Sequence, residues 1–248
     1  MTLKTRSTWT FFGLLALLAL AAGLNAFLPQ GEWGTLRPES PIPKWQLALG
    51  GAGLTTVLYG FLGLLGLAIW RNLGFPEIWA ENVSARQRFL NPALAGGALG
   101  LVLIAADLVF SRFNGLGRLL HPPFPTSLVA SISAGIGEEM LFRLFFVSFW
   151  TWLVGKVILR GRRLDVVYWV VAMFSALAFG ASHLPSLMIL TGVTDPAAFS
   201  PVLLLQIFLL NGLISWVAAD YFKKFGFLAP VGVHFWTDMV WHVLWGLV

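Results

Sequence analysis

The chain contains no cysteine, and charged residues make up only 11% of it. The first absence excludes a disulfide framework, a thiolate metal site, an iron–sulfur cluster and a cysteine nucleophile. The second excludes an ordinary water-facing surface, because soluble domains carry roughly 25% charged residues. It also excludes a disordered chain, which would be rich in charge and poor in apolar groups. No Gly-x-Ser-x-Gly elbow and no His-Glu-x-x-His pair occurs, which removes two further hydrolytic frameworks. What the chain does have is hydrocarbon: 58% of its 248 residues are hydrophobic and the mean hydropathy is +0.80. This is the composition of an all-α, polytopic membrane bundle.

Crossing about 30 Å of hydrocarbon takes roughly 20 apolar residues per helix. Seven stretches qualify: Trp9–Leu28, Trp45–Trp70, Ala93–Phe110, Thr126–Leu153, Val166–Leu190, Pro201–Ala219 and Phe227–Val248. The expected count is therefore about seven, with six to eight as its range, because Leu184–Ser200 holds two prolines and a short extra or re-entrant piece there would change it. A kink is expected at Pro185, whose nitrogen has no proton for the helix ladder. The first stretch is longer than a signal-peptide core of about 7–15 residues and reads as a retained span. No internal repeat appears. The chain divides into residues 1–125, outside the motifs described below, and residues 126–248, which contain them.

The formal net charge of +5 would suit a nucleic-acid partner if the cations formed a face, but they sit between the apolar runs. With the N-terminus inside, the inner connections hold eleven Lys and Arg and the outer ones four, namely Arg37, Lys44, Arg112 and Arg118. That asymmetry is the positive-inside pattern. It predicts a multi-pass protein with a cytoplasmic N-terminus, in the plasma membrane if prokaryotic, and no nucleic-acid partner. Every Lys and Arg except Arg143 is expected in a loop or tail.

The ionisable residues left inside the spans are Asp107, Glu138, Glu139, Arg143, His183, His234, Asp238 and His242. Each charge near a bilayer centre costs about 2.5–3.5 kcal/mol even on the lenient insertion scale, so each requires a reason. Glu139 and Arg143 are i,i+4 neighbours and can neutralise one another. Glu138 points about 100° away and is left over. At about 1.5 Å per residue, Glu138 lies about 15 Å below the outer end of its span, His183 about 10 Å, His234 about 21 Å and Asp238 about 15 Å. Three helices can thus aim a carboxylate, two imidazoles and a second carboxyl group at one depth. His234, Asp238 and His242 form one stripe, while Asp107 and His121 read as structural residues.

A Glu beside a His in a partly dry cavity is suited to activating water, and a second His can face a developing oxyanion. Zinc remains open as a cofactor, with Glu138, His183, His234 and Asp238 as its candidate ligands. A proton relay in a transporter would use the same residue types.

Three motifs occur in order: Glu138-Glu139-x-x-x-Arg143, Phe179-Gly180-Ala181-Ser182-His183 and His234-Phe235-Trp236-Thr237-Asp238. They resemble the EExxxR, FxxxH and HxxxN/D motifs of the type II CAAX prenyl protease and bacteriocin-processing (CPBP, or Abi) family. The resemblance covers about half the chain and includes the approach Gly226-Phe227-Leu228-Ala229-Pro230. It implies an intramembrane endopeptidase in which Glu138 and His183 activate water and His234 and Asp238 form the oxyanion site. Glu139 and Arg143 would organise the helix, and Phe179 would support His183. The partners implied are a peptide or protein substrate at the membrane, lipidated in some members, and the bilayer itself. Asp238 departs from the frequent Asn, and an ionised Asp cannot donate to an oxyanion. A non-proteolytic immunity or scaffold protein is the alternative within the same family.

Overall fold

The structure is a computed structural model that describes residues 2–32 and 40–248; Arg37, one of the four outer cations, lies outside them. Helix α1 is Leu3–Leu24 and α2 is Lys44–Leu73. Helix α3 is Arg86–Phe110 and α4 is Thr126–Ile158. Helix α5 (Leu164–Ala181) is followed by the short α6 (Leu184–Thr191), then α7 (Pro201–Phe225) and α8 (Leu228–Asp238). No strand occurs among the described residues. Six helical stretches among them are long and apolar enough to cross a membrane. The seventh expected span, Phe227–Val248, is also helical but shorter: α8 passes into π-helix at Met239–Leu244, and it packs against α3, α4 and α7.

The outward faces are apolar, as a bilayer solvent requires. Leu54, Val57 and Phe61 of α2 are exposed, and so are Leu205 and Leu209 of α7. Inward, one buried cluster joins Phe11, Leu15 and Leu18 of α1 to Trp70, Met140, Leu144, Tyr168 and Phe222. Trp70 is stacked between Phe75 at 4.3 Å and Phe222 at 3.9 Å, and its Nε1 donates to the Pro76 carbonyl. Bilayer helices gain little from hydrophobic burial against one another, so close backbone approach carries their packing. Gly66 of α2 meets the backbone of Leu144, and Gly96 of α3 meets the Val233 carbonyl one turn before the Thr237 region of α8. A Cβ at either glycine would run into backbone atoms that cannot move aside.

The expectation that nearly all cations lie in loops needs correction. The helices run past their apolar windows, so Lys4, Arg6, Lys44, Arg71, Arg86, Arg88, Lys156, Lys223 and Lys224 sit in helical turns near span ends. Long side chains permit this, because the apolar stem stays against the helix while the head reaches a partner. Arg71 pairs with Glu77 at 2.8 Å, and buried Arg88 donates to the carbonyls of Ile78 and Ala80.

Candidate active site

Pro185 shapes the first part of the site. Its nitrogen has no proton for the Ala181 carbonyl, so α5 stops at Ala181 and the chain restarts as α6. The sequence-expected kink is thus a break beginning at Ser182, three residues before the proline. The carbonyl of Phe179 is released from the helix ladder and accepts from Ser182 Oγ at 2.7 Å and from His183 Nδ1 at 2.8 Å. A carbonyl only accepts, so His183 Nδ1 carries a proton, and in the neutral ring Nε2 is the nitrogen with the free lone pair. Phe179 is fully buried, and its ring touches both imidazoles, with centroids 5.0 Å from His183 and 5.6 Å from His234.

The second part is a buried polar chain between α4 and α8. Glu139 accepts from His234 Nδ1 through Oε1 at 2.9 Å, while its Oε2 lies 3.1 Å from Arg143 Nε. Both members of the Glu139–Arg143 pair are fully buried. The guanidinium is 4.9 Å from the centre of the Phe179 ring, and none of its nitrogens makes an aligned hydrogen bond among the described residues. The two charges therefore meet by proximity rather than by a bidentate fork, and the guanidinium has a separate cation–π contact with Phe179. Both motif helices turn from α to π geometry directly after their carboxylates, at Met140 and at Met239. Such π segments are frequent at functional sites.

The parts meet at a cavity of about 420 Å³ lined by Glu138, His183, His234, Asp238 and His242, with apolar walls from Leu103, Leu187, Ile207 and Trp241. The Glu138 side chain is 32% exposed, and its Oε2 has no hydrogen-bond partner among the described residues. His234 Nε2 lies 3.8 Å from Glu138 Oε2 and 3.7 Å from Asp238 Oδ2, beyond direct hydrogen bonding and within reach of a single bridging molecule. The four residues expected to share one depth do line one cavity.

The zinc reading fares differently. No three His, Asp or Glu side chains among the described residues are grouped closely enough to hold a metal ion. The donor set as arranged does not fit a metal, and no step below runs through one.

Asp107 stands apart from the chemistry. Buried on α3, it accepts from Gln206 Nε2 at 3.0 Å, and Gln206 Oε1 accepts from Asn114, tying the 111–120 connection to α7. His242 lines the cavity, yet its Nδ1 faces His121 Nδ1 at 3.1 Å, so one ring donates and the other accepts. The sequence stripe found His242 but not this cross-connection, which needs the loop to fold back over α8.

Burial pushes His121 down to about 4 from its ordinary 6.5. The unfolded chain then takes up a proton near pH 6.5 that the folded protein refuses until about 4. The stability contributed by neutral His121 is complete above pH 6.5 and is lost as pH falls toward 4. Melting temperatures of His121→Phe should fall less steeply across that window than those of the wild type; equal slopes would refute the assignment.

Sequence reading passed over Asn211, Ser186 and Arg118, which also line the cavity. Asn211 was findable, being a lone amide in the run Leu209-Leu210-Asn211-Gly212-Leu213. Arg118 was not, because only the folded 111–125 connection brings it over the cavity, with its guanidinium 4.7 Å from the Trp245 ring.

Residues 120–240 match a family model described as Type II CAAX prenyl endopeptidase Rce1-like. No curated protein and no solved structure matches the chain.

Proposed function

We propose, for a chain whose residues 120–240 match the Rce1-like type II CAAX prenyl endopeptidase family model, that Glu138 and His183 activate a water molecule which attacks a peptide carbonyl inside the membrane-embedded cavity. The observation that carries this reading is that one cavity is lined both by an unpartnered carboxylate oxygen and by an imidazole whose Nδ1 is already committed. Glu138 takes the proton from water as the new C–O bond forms and delivers it to the leaving amine as the peptide C–N bond breaks, while His183 Nε2 offers a second acceptor in the lining of the same cavity. General-base assistance of this kind contributes typically 10²–10⁴-fold.

His234 turns its Nε2 toward Glu138 and Asp238. With Nδ1–H donated to Glu139, a proton on Nε2 can be shared with either carboxylate or donated to the oxyanion as it forms. Asp238 is then a holder of that proton beside His234 rather than a donor in its own right. Glu139 and Arg143 are positioning residues that act through the His234 ring. The catalytic unit is assigned to residues 126–248, with the N-terminus on the cytoplasmic side.

The substrate is a peptide entering at the end of the bundle that carries the 111–125 connection, since Leu116, Leu119 and Pro122 line the cavity there. The largely apolar walls suit a lipidated or hydrophobic peptide. Purified protein should cleave a farnesylated C-terminal peptide or members of a broad peptide library, and His183→Ala should lose at least about 10²-fold of that rate. Cleavage undiminished in His183→Ala would reject the mechanism. Absence of any cleavage by the wild type, together with tight binding of a peptide or membrane-protein partner, would favour the scaffold reading.

A further inference from the structure

A second cavity lies toward the other end of α4 and plays no part in the chemistry above. Its volume is about 540 Å³, and Phe146, Trp150 and Val154 of α4 face Val167, Val170 and Phe174 of α5 across it. From Phe146 to Leu159 it runs about 20 Å along the helix, somewhat more than the depth of one leaflet, about half of a 30 Å core. One charged side chain lines it, Arg163, in the turn that joins the two helices.

That turn is strongly cationic. Lys156, Arg160, Arg162 and Arg163 fall within eight residues, and all four are exposed. None joins an ion pair among the described residues. The acid nearest in sequence, Asp165, is taken by Lys223. An apolar slot of leaflet depth thus ends at a cluster of unneutralised cations. An acyl chain alone would fill the slot without selectivity; the cluster adds a requirement for negative charge at its end. The loop charges put this end on the cytoplasmic side, where anionic lipids attract basic juxtamembrane segments.

We propose that this groove binds an anionic glycerophospholipid, with one acyl chain between α4 and α5 and the phosphate against Arg163, Arg160 and Arg162. The site is independent of the peptidase reading and would stand if that reading failed.

Native mass spectrometry of the detergent-purified chain tests it. With phosphatidylglycerol and phosphatidylcholine of matched chains present together, the phosphatidylglycerol adduct should dominate at least about tenfold. Short-chain phosphatidylglycerol, which keeps the head but cannot fill the groove, should bind at least about tenfold more weakly than the long-chain lipid. The preference should vanish in R160Q/R162Q/R163Q, and also in Val170→Trp, which fills the groove while keeping every charge. Equal binding of the two headgroups, equal binding of short and long chains, or full preference in Val170→Trp would each overturn the proposal. The first two readings use only the wild type, so a variant that fails to fold does not rescue it.

Discussion

Glu138→Gln is expected to lower peptide hydrolysis by about 10³-fold or more, equivalent to about 4 kcal/mol of transition-state stabilisation, while the fold survives. Gln keeps the length and planarity of the side chain and removes the proton acceptor. Little stability is at stake, because Glu138 Oε2 makes no hydrogen bond among the described residues and the side chain opens onto the cavity. Removing a charge from a mostly apolar surrounding should leave the melting temperature unchanged or raised. Neighbouring Glu139 is predicted to behave in the opposite way, since its carboxylate is enclosed between His234 and Arg143. Rates and melting curves measured on the same samples separate the two carboxylates. A Glu138→Gln protein that is folded and still hydrolyses peptide at the wild-type rate would end its assignment as the base.

Arg143→Leu should cost about 3–5 kcal/mol of stability, the usual penalty for stripping one partner from a buried pair. Leu leaves Glu139 as a fully enclosed carboxylate whose remaining partner is the His234 ring. Activity should fall as well, because Glu139 fixes which His234 nitrogen faces Glu138. Replacing both members, as Glu139→Gln with Arg143→Leu, should be less damaging than the arginine change alone, since no unpaired charge remains. Thermal unfolding of the two single variants and the double gives the coupling. Strict additivity would mean that the pair contributes nothing as a pair, and that Arg143 matters only through its packing on Phe179.

The candidate site was legible at the level of residue type and depth. Glu138, His183, His234 and Asp238 are conspicuous because so few charges enter the apolar runs, and the 1.5 Å rise per residue was enough to place them in one layer. Partnership was less legible. An i,i+4 rule finds Glu139 with Arg143, yet it cannot find Glu139 with His234, which are 95 residues apart in sequence and 2.9 Å apart in space. The release of the Phe179 carbonyl lay between these cases. Pro185 announced a break, but only the observed end of α5 at Ala181 shows that the freed carbonyl settles the tautomer of His183.

Composition and spacing by themselves determined that this chain is a membrane helical bundle with a cluster of ionisable groups inside it. Both follow from one-dimensional physics, namely the cost of charge in hydrocarbon and the fixed rise of a helix. The tertiary structure alone decided that Nδ1 is the committed nitrogen of His183 and of His234, that no three candidate ligands among the described residues sit closely enough to hold a metal ion, and that the loop carrying Arg118 and His121 covers the cavity. It also separated the basic turn after α4 from a simple topology signal by setting an apolar groove beside it. Those outcomes depend on which helix faces pack together. In a bilayer nearly every face is apolar, so the sequence pattern leaves that choice open and close contacts such as Gly66 on Leu144 make it.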